Sequence, residues 1–367
     1  MPDADERVER VTTLELFFDL VFVFTITQLT TVLFHAPTAT ALLQVVEMLT
    51  VIWWMYGGYA WLTNAVRADT QARRLLLLGG MAGYLVLALT IPKAFSSAGL
   101  AFGLAYLVIV AVHTLLFTRS AAVGVVRAIL TLAPYNLGAA AVVVVGGAVG
   151  GTAQYVLWGG GGLFEWLLPM ISRREGSFLI AAAHFVERHG LVVIVAIGES
   201  VVAIGFGAGH LPVDAALLLI ATVGLALSAC LWWLYFGDDL EPAERALDSL
   251  PLGPRSRAAL FAFGYWHLPM LLGIVAVAAA EREATAHAFT QLSWARAAFL
   301  GGGAAAYCAG NVLFRRRLGL GRFGSRTVAA VLAVGTIPAG ALVSPFVQLV
   351  LLVVVFGALF SIERRAW

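Results

Sequence analysis

The sequence lacks the density of charge that a soluble protein carries. Charged residues make up 12% of its 367 residues, whereas a soluble domain usually contains about 25%. The few charges stand in short clusters between apolar runs, and each run has roughly the 20 residues that cross a bilayer. Hydrophobic residues make up 61% of the chain. The composition therefore excludes an ordinary soluble domain and predicts an integral membrane protein.

Net charge is low, cysteines are few and a nucleotide-binding motif is absent, and each of these features disfavours a class of function. The net charge is only +2, so no basic surface indicates a nucleic-acid partner. The two cysteines, Cys230 and Cys308, lie inside apolar runs, where we interpret them as small packing residues. The chain has no Gly-x-x-x-x-Gly-Lys motif, which disfavours ATP-driven transport by this chain alone. Its acidic beginning lacks the positive region of a signal peptide, so we expect the first apolar run to remain as a helix.

The apolar runs predict an all-α integral membrane protein with about twelve transmembrane helices. The runs cover residues 12–34, 42–63, 74–92, 99–118, 126–148, 152–171, 178–208, 213–236, 257–280, 294–314, 326–343 and 345–362. The longest loop, at about 237–256, contains prolines and acidic residues and is interpreted as a cytoplasmic connector.

The lysine and arginine residues follow the positive-inside rule if the chain has twelve spans. With the N-terminus inside, the predicted inner segments hold 19 of the 23 basic residues, and the outer segments hold three. The remaining one, Arg188, lies within a span. We therefore expect both termini in the cytoplasm and the protein in the bacterial plasma (inner) membrane, in contact with membrane lipids.

The chain divides into two halves of six spans that resemble each other weakly. The predicted halves of this single membrane domain are residues 1–175 and 176–367. Asp19 is followed after 34 residues by Trp53, and Glu199 is followed after 34 residues by Trp233. Six spans per half would give parallel repeats, and transporters with such repeats bind solutes at the repeat interface. Chance similarity between helices rich in glycine, alanine and valine is the alternative.

Two carboxylates occupy the first predicted span. Glu15 and Asp19 stand four residues apart, so they share one face of the helix. Asp19 would lie on the order of 10 Å inside the span. An ionisable group at that depth is costly and usually faces the bundle interior or a water-filled cavity. Two interpretations stay open: a buried ion pair that holds helices together, or a site for a solute or an ion.

The seventh predicted span carries more ionisable residues. His184, Arg188 and Glu199 fall within about 60° of one helix face, and Glu187 lies on an adjoining face. Such a set could relay protons, or bind a cation or a polar solute. His184 and Glu187 have a spacing compatible with two metal ligands, but no third ligand is evident, so we predict no metal site and no cofactor. The predicted substrate or ion site comprises Glu15, Asp19, His184, Glu187, Arg188 and Glu199.

Two segments of these spans carry a family resemblance. Residues 15–24 read ELFFDLVFVF, and residues 184–191 read HFVERHGL, with IGES following at 197–200. Both resemble signatures of the bacterial low temperature requirement A (LtrA) family, and YWHLP at 265–269 also fits. The resemblance covers nearly the whole chain. It implies a bacterial membrane protein with a role in growth in the cold, and it implies no particular biochemical activity.

Four functions follow from these observations, with a small solute or a cation as the expected partner. A secondary transporter coupled to protons or cations predicts that the acidic residues of both spans converge on a midplane cavity open to one side. A cation channel predicts a continuous pore lined by the first and seventh spans, and the start of the chain is similar to potassium channels built from six-span repeats. A structural or sensory role in cold adaptation predicts that the charges only fix helix register. An enzyme is disfavoured, because the neighbours Glu199 and Ser200 point about 100° apart.

Overall fold

The computed structural model describes residues 11–65, 70–120, 123–171, 180–209, 211–237, 239–321 and 323–365. Within these ranges the chain is helical and contains no strand. The α-helices are α1 (Thr13–His35), α2 (Ala39–Ala65), α3 (Gln71–Thr90), α4 (Gly99–Phe117), α5 (Val123–Val149), α6 (Gly151–Ile171), α7 (Ala182–Ala208), α8 (Ala215–Phe236), α9 (Leu240–Asp248), α10 (Leu252–Ala259), α11 (His267–Ala286), α12 (Trp294–Leu318), α13 (Gly324–Gly335), α14 (Ile337–Leu342) and α15 (Pro345–Arg365). A 3₁₀ turn at Ile91–Lys93 follows α3, and a π-helical segment at Leu260–Tyr265 joins α10 to α11.

These helices confirm the multi-pass membrane architecture. In the described part of the chain, eleven helical segments are long and apolar enough to cross a membrane. The helix α6 coincides with the sixth predicted span but is not among the eleven. Its four consecutive glycines, together with Gln154 and Glu165, lower its mean hydropathy. With α6 included, the helices match the twelve predicted runs, and α9 is a short amphipathic connector within the predicted loop.

Short polar residues mark where several helices begin. The side chains of Thr12, Asp214 and Ser293 each accept a hydrogen bond from the backbone N–H three residues later. Such caps satisfy backbone donors that have no partner within the helix. Glycine marks ends and turns: Gly319 closes α12 with φ +70°, and the tight α5–α6 connection contains Gly150, also at φ +70°.

Glycine also sets the closest helix contacts. A Cβ atom on Gly103 of α4 would lie 2.6 Å from the Cα atom of Val144 of α5. A Cβ atom on Gly273 of α11 would lie 2.7 Å from the backbone nitrogen of Tyr307 of α12. Small residues of this kind let helix backbones approach each other within a membrane, where packing drives association.

The short connections fix the relative direction of neighbouring helices. Because short links join α4 to α5 and α5 to α6, each of these helices runs antiparallel to the next. The end of α4, the start of α5 and the end of α6 therefore lie together, and we name this side, around Phe117, Arg127 and Met170, the basic end. The cytoplasmic orientation of this end and the equivalence of the two halves stay predictions. Residues 1–10 and the predicted boundary at residues 175–176 lie outside the described ranges.

Candidate functional site

A capping box at the start of α1 fixes Glu15. The Thr12 side chain accepts a hydrogen bond from the backbone N–H of Glu15 at 3.4 Å. In return, the Thr12 N–H donates to Oε2 of Glu15 at 2.8 Å. The spacing Thr-x-x-Glu is a known helix-start signal, which our sequence analysis did not use. One carboxylate oxygen of Glu15 thus stabilises the beginning of α1, and the other contacts α7.

The Arg188 side chain of α7 joins both carboxylates of α1. Its Nη1 atom lies 2.9 Å from Oε1 of Glu15, and its Nη2 atom lies 3.1 Å from Oδ1 of Asp19. Nε2 of His184 lies 3.2 Å from the same Glu15 oxygen. The helix faces predicted from the spacing therefore meet each other. We name Glu15, Asp19, His184 and Arg188 the ion-pair cluster.

The helix α2 completes the surroundings of Arg188. The Tyr56 hydroxyl donates to Oδ1 of Asp19 at 2.8 Å, and Nη1 of Arg188 donates to the Thr63 hydroxyl at 2.6 Å. The guanidinium carbon also lies 5.6 Å from the centre of the Phe18 ring. The Arg188 side chain is 0% exposed and that of Asp19 is 2% exposed. A pair buried so deeply needs hydrogen bonds to offset the lost hydration, and α2 contributes two of them.

The structure does not bring Glu187 and Glu199 into this cluster. Glu187 points outward from α7 and is exposed, and its Oε2 atom accepts a hydrogen bond from the Val11 N–H at 3.3 Å. Glu199 is buried and accepts a hydrogen bond from the Thr27 hydroxyl at 2.7 Å. It lies eleven residues beyond Arg188, or roughly 16 Å farther along α7. The six predicted residues therefore occupy three separate places.

Our sequence analysis missed a buried carboxyl group in α11. Glu281 is 1% exposed, and neither of its oxygens has a hydrogen-bond partner among the described residues. The buried Ser200 hydroxyl of α7 faces it without a hydrogen bond of normal geometry. The prediction overlooked Glu281 because the ninth span was ended at residue 280, whereas α11 continues to Ala286. The three alanines at 278–280, directly before this residue, were the available signal.

A second buried ion network also escaped prediction. Asp239, between α8 and α9, pairs with Arg315 and lies 2.9 Å from Nη1 of Arg326. Asn311 donates to Asp239 at 3.1 Å, and Arg326 pairs with Glu363 at 3.0 Å. These contacts join the start of the connector to α12, α13 and α15. Asp239 lies in the segment interpreted as a cytoplasmic connector, but its side chain is fully buried.

A cavity of about 1400 Å³ lies between segments from the two predicted halves. Its walls come from α2, α4, α5 and α6 on one side, and from α7, α10, the π-helical segment and α12 on the other. We name it the interface cavity. Among the described residues, its lining includes four tryptophans and three arginines but no aspartate or glutamate. None of the six predicted site residues lines it.

The acidic residues of α1 and α7 therefore do not converge on a cavity, so that expectation is wrong. Glu15 and Asp19 are instead paired with Arg188, which corresponds to the alternative interpretation of a buried ion pair. The channel hypothesis expected a pore between α1 and α7, but the described parts of these helices are joined there by the ion-pair cluster and by the contact between Phe18 and Arg188. Within the described ranges, no group of three His, Cys, Asp or Glu side chains could hold a metal ion.

A model of a known protein family matches nearly the whole chain. The family model described as "Bacterial low temperature requirement A protein (LtrA)" matches residues 10–361. The chain belongs to the LtrA family. The match includes both segments that carry the resemblance in the sequence, and it therefore includes every member of the ion-pair cluster.

This LtrA protein is similar in sequence to a bacterial protein over most of its length. An uncharacterized protein of Rhizobium meliloti (strain 1021) is 26% identical over 328 residues, which cover 82% of this chain and 76% of that protein. No solved structure matches this LtrA protein. Family membership thus establishes a bacterial multi-pass membrane protein, and its activity has to be argued from the geometry.

Proposed function

We propose that this LtrA protein is a secondary transporter of the bacterial plasma membrane, and not an enzyme, which binds a solute in the interface cavity and couples its movement to protons or cations. The interface cavity is the observation that carries the proposal. Solute sites of secondary transporters lie near the bilayer midplane at the interface of two structural units. The position of the cavity between segments of the two predicted halves supports the proposal.

The depth of the cavity supports this role. Its lining on α5 extends from Arg127 to Asn136, and nine residues of an α-helix cover about 14 Å. This is close to half of the roughly 30 Å hydrocarbon thickness of a bilayer. A solute entering at the basic end would therefore reach the middle of the membrane.

The π-helical segment gives the cavity an irregular wall. The indole N–H of Trp53 donates to the Gly264 carbonyl at 2.7 Å, and both residues line the cavity. Such π-helical turns inside α-helices are rare in proteins as a whole, and those that occur are often found at functional sites. Irregular backbone at membrane depth is tolerated where protein buries it or where it lines a cavity, and this segment meets both conditions.

Two buried carboxyl groups are suited to ion coupling. Glu199 has the Thr27 hydroxyl as its only hydrogen-bond partner in the described chain, and Glu281 has none. Arg282 lies near enough to Glu199 to attract it, but forms no ion pair with it. A carboxyl group inside a membrane without an ion-pair partner is a candidate for binding a proton or a cation. We therefore assign coupling to Glu199 and Glu281, and a structural role to the ion-pair cluster.

Proton flux in reconstituted liposomes tests the proposal. Vesicles that contain the purified protein and a pH-sensitive dye would be exposed to organic anions, cations and neutral solutes. We expect solute-dependent proton flux that is lost in Glu199→Gln and Glu281→Gln, because glutamine keeps the size of the side chain and removes the ionisable group. Glu241→Gln on α9 is the matched control, since Glu241 is 81% exposed, and it should transport like the parent.

Other outcomes would reject the proposal. Large ion flux without a solute requirement would favour the channel alternative. Absence of any flux in vesicles with verified folded protein would leave a structural or sensory role in cold adaptation. Flux that is unchanged in both glutamine variants would remove the buried carboxyl groups from the coupling path.

A further inference from the structure

We propose that the interface cavity binds an amphipathic anion, a molecule with one anionic group on an apolar or aromatic body. This inference names the chemical class of the solute, and it rests on the proposed function only where the bound molecule is also the transported one.

The charge of the lining selects an anion. Arg127, Arg257 and Arg317 line the cavity and are exposed. None of the three forms an ion pair with another described residue, and the guanidinium carbon of Arg317 lies 5.1 Å from the centre of the Phe261 ring. No acidic side chain occurs in the described lining to balance them. Three arginines around one opening, with no acidic side chain in the described lining, attract anions and disfavour cations.

A histidine near the same end has hydrogen-bonding capacity that the protein leaves unused. His113 lies one turn before the end of α4 and is 3% exposed; the Gly58 backbone of α2 lies beside its ring, but neither ring nitrogen forms a hydrogen bond of normal geometry in the described chain. Buried polar groups almost always have partners. Arg127 lies at a similar depth, one turn after the start of α5. Both side chains line the cavity, so a ligand with its anionic group here would supply the missing partner.

The glycine beneath this histidine keeps the ring in place. A Cβ atom on Gly58 of α2 would lie 3.0 Å from Nε2 of His113, and Gly58 also lines the cavity. A larger residue at this position would crowd the Nε2 edge of the imidazole against α2 and push the ring away. The position of His113 at the cavity wall is thus a consequence of local packing.

The deeper part of the cavity suits an apolar body. Trp53, Trp54 and Trp166 line it beyond the basic end, together with Tyr265. Its volume of about 1400 Å³ exceeds the roughly 300–1000 Å³ of most small-molecule pockets. An inorganic anion would leave these aromatic walls without a contact. An amphipathic anion fills both parts, with its charge near the arginines and its body among the indole rings.

The amphipathic anion could be a soluble molecule or an anionic membrane lipid. Calorimetry tests the first of these, and native mass spectrometry tests the second. The protein would be placed in nanodiscs of zwitterionic lipid and titrated with 2-naphthoate, a soluble amphipathic anion, and with 2-naphthamide, its neutral counterpart. Empty nanodiscs correct for partition into lipid. In parallel, native mass spectrometry would detect phosphatidylglycerol, an anionic lipid, that remains bound after purification.

We expect saturable binding of 2-naphthoate that exceeds binding of the amide. The triple variant Arg127→Gln, Arg257→Gln, Arg317→Gln should lose about tenfold in affinity or more, since each exposed charge contributes up to about 1 kcal/mol. Arg316→Gln is the matched control, because Arg316 is exposed beside Arg317 but does not line the cavity. Retention of phosphatidylglycerol that the triple variant loses, without naphthoate binding, would identify a lipid as the anion.

The inference is overturned if acid and amide bind equally, if the triple variant binds like the parent, or if neither naphthoate nor anionic lipid binds. Failure of the proposed function has a different signature. Anion binding without any solute-dependent proton flux would reject transport and retain the site. Proton flux driven only by neutral or cationic solutes would retain transport and reject this ligand class.

Discussion

Replacing Arg188 by leucine should destabilise the protein strongly. The substitution leaves the carboxylates of Glu15 and Asp19 buried on one face of α1 without their shared cation, and it removes the hydrogen bond to Thr63. Breaking a buried ion pair by removing one partner costs about 3–5 kcal/mol. We expect a loss of this size in the free energy of unfolding, because the Arg188 side chain is 0% exposed.

The assay is unfolding in mixed micelles, followed by tryptophan fluorescence. The control is Arg245→Leu, which breaks an exposed pair between Arg245 and Glu241 on α9 whose side chains are 64% and 81% exposed. Exposed pairs contribute about 0.2–1 kcal/mol, so the control should unfold almost like the parent.

A second variant separates charge from packing. Combining Arg188→Leu with Glu15→Gln and Asp19→Asn removes the unpaired charges, and it should recover part of the lost stability. A loss below about 1 kcal/mol for Arg188→Leu alone, or a triple variant no more stable than the single one, would refute this reasoning.

Three other measurements probe the packing, the buried acid and the topology. Gly103→Ala should destabilise by about 1–3 kcal/mol, because a Cβ atom there would overlap α5, whereas Gly138→Ala, where nothing lies within 4 Å, should unfold like the parent. Glu281→Gln should leave the free energy of unfolding unchanged or raise it, since its carboxyl group has no partner in the described chain to lose. In a cysteine-free background, Ser249→Cys should react with an impermeant thiol reagent only from the cytoplasmic side and Ser97→Cys only from the periplasmic side, and the reverse pattern would contradict the orientation.

The helices were predictable because the bilayer imposes their length and polarity. Runs of apolar residues indicated each span, and α6 was found despite its glycines because flanking runs left a stretch of fitting length. Helix ends were less predictable. The segment from α10 to α11 begins earlier and ends later than the predicted span 257–280. A hydropathy pattern ends a span at charged residues, and it does not show that a residue such as Glu281 is buried inside the bundle.

Parts of the site were predictable for a similar reason. The four-residue spacing of Glu15 and Asp19 placed both on one helix face, as did that of His184 and Arg188, and these faces meet. The separation of Glu199 from that cluster was not predictable, because the spacing on one helix does not reveal its partners on others. The interface cavity was equally hidden, since its lining comes from eight helical segments spread along the chain.

The most direct test of the central claim is to block the interface cavity and measure flux. Ala128→Cys, in a cysteine-free background, places a thiol in the cavity wall, where an impermeant alkylating reagent supplied at the basic end can add a bulky group. We predict that alkylation from this side stops solute-dependent proton flux in proteoliposomes, and that 2-naphthoate slows the alkylation. Full flux after complete alkylation, verified by mass spectrometry, would contradict transport through this cavity.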